Sequence, residues 1–507
     1  MNYINARAAA EKWGISLQTV IKYCQLGLVD GVEKDGRAWK IPENSVIHLK
    51  KNHNKKSFFT YIDLFCGIGG FHQAMDSLGG KCVFACDINQ NCREVYIKNY
   101  CSENEFPVYG DIVEAINEKV IPKFDVLCGG FPCQTFSKAG LQNGFNIVED
   151  EHGKKDERGQ LFYRIIDILE EHDECEYLIL ENVRNLADKK ENWKVICSEL
   201  KRLGFVITED PIIASPHNFG IPQVRDRVFI LGVRSSLLDG RKKLPEGYIT
   251  SSVLNIDNYK KPISKKYNCL KTILDNDVDE KYNISSDLEE MLLCWEDFHK
   301  NVKGLVSPFW IHKAGIGICN REDYLVDSEI GFPDMPKWKQ SLVMKSRRVY
   351  ENNMAFIDDW ITRNKMRSRV LIHQKFEWNA GDDCKSIKDG IIQIRQSGVR
   401  IKRPNYFPSL VVMNNTPIIW DEQKQHFRFI TPKEAAKLQS FSKNFIFADK
   451  DSISYEQLGN SVNVELVRIF AKELFKLGKG NWVVSQEGEK NDKEDKYSSN
   501  NKCICNI

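Results

Sequence analysis

Long apolar runs are missing from this sequence. Stretches such as Tyr177–Leu180 and Pro408–Met413 fall far short of the roughly 20 residues a membrane-spanning helix needs. The opening MNYINARAAAEKWG lacks the charged-then-apolar layout of a signal peptide. Cysteines number 16, yet none form C-x-x-C units at zinc spacing, and disulfide frameworks belong to small secreted domains. They read as reduced, mostly buried hydrophobes. Net charge is also nearly absent, with 72 Lys+Arg against 70 Asp+Glu and a formal value of +2, so any basic surface has to be local. These absences lead us to expect a soluble, cytoplasmic protein with no metal centre. What is present is ordinary globular composition, 42% hydrophobic and 28% charged. The length of 507 residues accommodates about three domains.

Residues 1–50 read as a separate module. Ala6–Trp13 predicts a short helix, Gly14-Ile15 a turn, and Ser16 the N-cap of a second helix reaching about Leu26. Asp35-Gly36, between the short runs of Val29–Ile41, is a hairpin signal. From Met1 to Lys56 there are ten Lys/Arg against five Asp/Glu, a local excess that the whole-chain figure conceals. Two helices, a hairpin and a basic balance resemble the winged helix-turn-helix DNA-binding module of excisionase and MerR-type regulators. Residues 51–57, mostly Lys and Asn, read as a linker.

Beyond position 57 short apolar runs alternate with helical segments. Phe58–Phe65, Lys81–Ala85, Phe124–Leu127, Tyr177–Leu180 and Val228–Val233 predict strands of an α/β fold with a largely parallel sheet. Ligands in such sheets bind beyond the carboxyl ends of the strands. Residues 234–390 lose this rhythm and show no internal repeat. Within them Lys337–Arg369 carries nine Lys/Arg against three Asp/Glu, interleaved with Trp338, Tyr350, Phe356 and Trp360. Cations neutralise phosphates and rings stack, so this composition suits a nucleic-acid surface. The polar stretch 487–507 reads as a disordered tail.

Two segments carry the chemistry. Asp63-Leu64-Phe65-Cys66-Gly67-Ile68-Gly69-Gly70-Phe71 puts a glycine-rich turn between a strand and a helix, where the backbone can approach a cofactor closely. Asp87 follows the next apolar run and Asp111 the one after, both where such folds hold a nucleoside. These features alone do not choose between NAD and S-adenosylmethionine. Gly129-Gly130-Phe131-Pro132-Cys133-Gln134-Thr135-Phe136-Ser137 places a cysteine in a loop directly after a strand, and a thiolate is a strong side-chain nucleophile.

Pro132-Cys133-Gln134 after Gly129-Gly130-Phe131, together with the glycine loop, resembles the DNA cytosine-C5 methyltransferases. The resemblance continues in the family's order through Glu181-Asn182-Val183, Gln223-Val224-Arg225-Asp226-Arg227, Gly398–Leu410, Leu438-Gln439-Ser440-Phe441 and Gly459-Asn460-Ser461-Val462. It covers about 60–470. The fold it implies is a Rossmann-like methyltransferase domain in two parts, 58–233 and 391–480, flanking an irregular target-recognition domain at 234–390. The resemblance makes Cys133 the nucleophile on C6 of a flipped-out cytosine and Glu181 the acid at the N3/N4 edge. Arg225 and Arg227 fall beside the base and backbone, with an ion-pair role open for one of them. Gln134 and Ser137 would touch DNA, and Asn182 would position the active-site loop. Phe65, Gly67, Gly69, Asp87, Ile88, Asp111, Leu161, Asn460 and Val462 match contacts to S-adenosylmethionine, with Asp87 on the ribose, Asp111 on the adenine amino group and Ile88 on an adenine face. The implied partner is double-stranded DNA, with a cognate restriction endonuclease as functional companion and a monomer as the working unit. A tRNA cytosine-5 methyltransferase and a helix-turn-helix transcriptional regulator remain as alternatives.

Overall fold

The structure, a computed structural model, describes residues 3–13, 17, 20–21, 24, 29, 31–35, 38–43, 45, 57–101, 106–132, 148–149, 155–156, 160–238, 244, 248–311, 332–410 and 416–479. Cys133, Gln134 and Ser137 lie outside the described residues, as does the tail at 487–507. The chain forms two compact units, 1–57 and 58–507.

The first unit contains strand β1 (Tyr3–Asn5), helix α1 (Ala6–Trp13), β2 (Glu33–Asp35) and β3 (Ala38–Pro42). β3 pairs antiparallel with both other strands. The hairpin expected at Asp35-Gly36 has Asp35 opposite Ala38 and Lys34 opposite Trp39. Asn5 ends β1 and starts α1, because its Oδ1 accepts from the Arg7 and Ala8 N–H groups at 3.0 and 2.9 Å. Leu17, Val20, Ile21 and Cys24 are helical, within the second expected helix. Ala9, Val20, Cys24, Val29 and Ile41 make the small core. β1 was not expected: three residues between a terminus and a helix carry too little pattern to mark a strand.

The second unit is built on an eight-stranded sheet. In chain order its elements are β4 (Phe59–Leu64), α2 (Gly70–Ser77), β5 (Gly80–Cys86), α3 (Gln90–Tyr100), β6 (Val108–Tyr109), α4 (Ile112–Asn117), β7 (Val126–Gly129), α5 (Leu161–Glu171), β8 (Tyr177–Val183), α6 (Lys190–Arg202), β9 (Phe205–Ile207), β10 (Ile212–Ala214) and β11 (Arg227–Arg234). The spatial order is β9-β11-β8-β7-β4-β5-β6, with β10 also on β11. Strands β8, β7, β4, β5 and β6 run parallel, while β11, β9 and β10 are antiparallel additions. Strand order reverses at β4, whose neighbours are β5 on one side and β7 on the other. In α/β sheets a reversal of this kind is where ligands bind, beyond the carboxyl ends of the strands.

Both faces of this sheet are covered, which is why its strands read as unbroken apolar runs rather than alternations. Tyr61, Cys128, Ile179 and Leu231 point to one face, against Phe71 and Met75 of α2 and Phe470 and Leu474 of α12 (Val464–Phe475). Their neighbours Ile62, Leu127, Leu178 and Ile230 point to the other, against Ile165 and Leu169 of α5 and Ile196 and Leu200 of α6.

A second lobe holds a six-stranded sheet. In chain order it comprises α7 (Ser286–Asn301), β12 (Phe309–Trp310), α8 (Lys337–Asn352), α9 (Met354–Arg363), β13 (Lys375–Asn379), β14 (Ile391–Arg395), β15 (Gly398–Lys402), β16 (Ile418–Asp421) and β17 (His426–Phe429). Its core runs from Ile284 to Phe427, around the fully buried Trp295 and Trp360. The sheet spans position 390, where the sequence analysis places a boundary. Phe376 pairs with Val399 and Ile392 with Ile401, so strands on both sides of 390 share one ladder. Conversely, Ile249, Leu254 and Ile273 pack into the first lobe. The lobe is thus an ordered α/β layer rather than an irregular insertion. Tyr350 and Trp360, read as candidate stacking residues, are core.

Arg428 of β17 joins the lobes. It is buried and donates to Asp421 at 2.9 Å and to both oxygens of Glu434, each at 2.9 Å. Glu434 is the N3 residue of α10 (Pro432–Leu438), in a capping box with Thr431. Among the described residues no helix is long and apolar enough to cross a membrane. Replacing Arg428 by Ala strands two buried carboxylates, so chemical denaturation should show a loss of about 3–5 kcal/mol.

Candidate active site

The glycine loop leaves β4 at its carboxyl end. Phe65, Gly67 and Gly69 all have left-handed φ, at 54°, 52° and 85°. At Gly69 the conformation is compulsory twice over, since a Cβ would also lie 2.1 Å from the Tyr100 ring. Around Gly67 no atom of the described residues lies within 4 Å of where a Cβ would stand, so among them its outer side is open. Asp87, just past β5, braces the loop: its carboxylate accepts from the Gly67 N–H and the Asn89 N–H, each at 2.8 Å. Burial pushes the Asp87 carboxyl above its ordinary value, and those two N–H groups pull it back. Ile88 is 75% exposed. Asp111 caps α4 through the Val113 N–H at 2.8 Å, and Leu161 opens α5, half-buried at the core's margin.

Behind the loop is a polar cluster that sequence reasoning missed. The Tyr100 hydroxyl is 3.1 Å from the Ile68 carbonyl and 3.3 Å from that of Gly69. Its ring stacks on His72 at 4.0 Å, and His72 Nδ1 lies 2.7 Å from the Tyr96 hydroxyl. Tyr96 reaches the buried Asp63 carboxylate at 3.3 Å. Asp63 stood in the quoted motif, but nothing in the pattern distinguishes a buried aspartate from a ligand-facing one.

Glu181 and Asn182 are consecutive on β8 and face opposite sides of the sheet. Asn182 is buried, and its Nδ2 donates to the Phe131 carbonyl at 3.1 Å. It therefore ties β8 to Phe131, just past β7. Glu181 is buried beside the glycine pair after β7: a Cβ on Gly130 would stand 3.6 Å from Glu181 Oε2 and 3.7 Å from the Phe71 ring. Arg227 Nε is 2.8 Å from Glu181 Oε1. Burial pushes the Glu181 carboxyl above its ordinary value, with Arg227 and then Arg225 opposing the shift.

The two arginines, which the sequence left undivided, separate here. Arg227 is the ion-pair partner of Glu181. Arg225 is buried and donates through Nη2 to the Ser461 carbonyl at 2.6 Å, with Ser409 and Leu410 near Nη1. It ties two C-terminal segments to the site. Val462, next to Ser461, packs on the helix start, because a Cβ on Gly70 would fall 2.6 Å from its Cγ1. Asn460 ends α11 (Asp451–Asn460) and is exposed. Chain segments near 65, 130, 181, 225 and 461 thus meet at one crevice.

A family model described as C-5 cytosine-specific DNA methylase matches residues 59–476. The chain belongs to that family. It is 30% identical over 495 residues to the Type II methyltransferase M.AluI of Cellulosimicrobium cellulans, covering 82% of this chain and 91% of that protein. It is 28% identical over 439 residues to M.HpaII of Haemophilus parainfluenzae, covering 86% and 94%. Among solved structures, a putative DNA modification methyltransferase encoded within an Escherichia coli prophage aligns with TM-score 0.45 and 21% identity, covering 82% and 99%.

Methylases of this family use S-adenosylmethionine, and the residues present fit it. The open side of Gly67, the braced carboxylate of Asp87 and the exposed Ile88 are a cradle, an acceptor for hydroxyls and an apolar face of the kinds such a group needs. Gly69→Ala should break this arrangement. The left-handed φ costs on the order of 1–3 kcal/mol and the methyl group collides with Tyr100. Calorimetric titration with S-adenosylmethionine should then show at least a tenfold weaker Kd.

Proposed function

We propose that this protein is a site-specific modification methyltransferase of the type II kind, acting on C5 of cytosine in double-stranded DNA. The observation that carries the reading is the buried Glu181–Arg227 pair beside Gly130 and Phe71, the latter on the helix that the glycine loop opens. S-adenosylmethionine supplies the methyl group. Phe65, Gly67, Gly69, Asp87, Ile88, Asp111, Leu161, Asn460 and Val462 would hold it.

Cytosine C5 is a weak nucleophile and needs activation. The Cys133 thiolate adds to C6, forming an S–C6 bond and pushing electron density to C5 and N3. Glu181 shares a proton with the N3/N4 edge as that charge develops. Its raised proton affinity suits this task, and Arg227 fixes its orientation. C5 then takes up the methyl group, its proton leaves, and the S–C6 bond breaks to return the thiolate. The base has to leave the duplex stack to enter the crevice, with Gln134 and Ser137 at the vacated DNA. Asn182 sets the loop, and Arg225 keeps the C-terminal segments in register with it.

The second lobe, Ile284 to Phe429, serves as the target-recognition region. The basic N-terminal unit serves as a winged helix-turn-helix that binds an operator, so that the enzyme also represses its own gene. A cognate restriction endonuclease is the functional companion, and the chain acts as a monomer.

Bisulfite sequencing of plasmid DNA from expressing cells tests the reaction. Protected cytosines should recur in one short sequence and vanish in Cys133→Ala, while that variant still binds S-adenosylmethionine. Protection retained in the variant would overturn the covalent route. Deleting residues 1–57 should abolish a gel shift on the gene's own upstream DNA and leave plasmid methylation intact. An unchanged shift would remove the regulatory role.

A further inference from the structure

Resting on the DNA-methylating reading, we infer that one face of helix α8 in the second lobe tracks the DNA phosphate backbone, adding affinity without sequence choice.

Six of the nine cations of Lys337–Arg369 fall into three kinds. Arg347 is buried and lies over the Phe332 ring at 5.4 Å. Arg363 pairs with Asp297 at 2.7 Å and Asp359 at 3.2 Å, and Arg369 with Asp287 at 3.2 Å and Glu290 at 2.9 Å. Those charges are already neutralised. Lys337, Lys345 and Arg348 are exposed and have no acidic partner among the described residues.

These three are not scattered. At about 100° per residue, Lys337, Trp338, Ser341, Met344, Lys345 and Arg348 fall within an arc of about 120° on α8. The opposite side carries Val343, Ser346, Arg347 and Tyr350, buried against the lobe. No acid lies in the arc, and Glu351 comes only at the helix end. Trp338 is 64% exposed and Met344 43%, an unusual expense of apolar surface unless something covers it. Lys345 and Arg348 stand about one helical turn apart and Lys337 about two turns before them. Unpaired cations along one face, flanked by an exposed indole, complement a polyanion.

Long, flexible Lys side chains act as point charges on phosphate. They carry no information about base edges, which are read in the grooves. The face therefore contributes equally to target and non-target duplex.

The test is the salt dependence of duplex binding by the full chain. Each phosphate contact adds about 0.9 to the slope of log Kd against log salt. A Lys337→Ala, Lys345→Ala, Arg348→Ala triple variant should lower the slope by about 2.7. It should weaken target and non-target duplexes by the same factor. Arg363→Ala, which removes a cation already paired, should leave the slope unchanged. An unchanged slope in the triple variant overturns the inference. So does a loss confined to the target duplex, which would make the face a base reader, and so does unaltered DNA binding with altered sedimentation, which would assign it to a second copy of the chain. Methylation of plasmid DNA by the wild-type chain in parallel keeps the reading of the reaction separate, since it can stand while the helix assignment falls.

Discussion

A carboxylate cut off from water has to be held by a cation or give up its charge. Glu181 is in that position, and Arg227 holds it at 2.8 Å. The pairing is a consequence of sheet register. β8 and β11 run antiparallel with Glu181 opposite Phe229 and Val183 opposite Arg227. Arg227 is two residues from Phe229, so it shares the face of Glu181 and its side chain reaches the carboxylate diagonally. A slip of one residue would send Arg227 to the other face and leave the acid alone.

The same register spreads order outward. Asn182, on the opposite face, is aimed at the Phe131 carbonyl and anchors the loop that leads to Cys133. Arg225, two residues before Arg227, reaches the Ser461 carbonyl and brings the C-terminal segment against the glycine loop. Gly130 brings the backbone between Glu181 and Phe71, where a Cβ would make ordinary contact with both, at 3.6 and 3.7 Å. The glycine loop, Glu181 and the segment just past β7 therefore depend on one antiparallel addition to a parallel sheet. The lobes are joined in a comparable way, with Arg428 shared by Asp421 of one sheet end and Glu434 of the next helix.

Much of this was legible in the residues. Strands at Phe59–Leu64, Gly80–Cys86, Tyr177–Val183 and Arg227–Arg234 announce themselves as apolar runs because both faces of the sheet are buried. The glycine loop was legible because a tight turn restricts residue type sharply, and Glu181-Asn182-Val183 only through the resemblance to a family. The second lobe was less so. Its strands are short and separated by long connections, and parallel pairing of Phe376 with Val399 has no local signature. Nor could composition separate Trp338, exposed, from Trp360, buried, since helical phase and the neighbouring sheet decide which side of a helix meets solvent.

The amino-acid sequence by itself determined the α/β class, the position of the glycine loop and membership of a family, because each depends on residue type at short spacing. Only the tertiary structure decided which arginine pairs with Glu181, that Tyr100, His72, Tyr96 and Asp63 support the loop from behind, and which cations of Lys337–Arg369 remain unpaired. Those outcomes depend on strand register and on packing between segments distant in the chain. Residue spacing says which groups a face can carry; what stands opposite that face is settled only when the chain is folded.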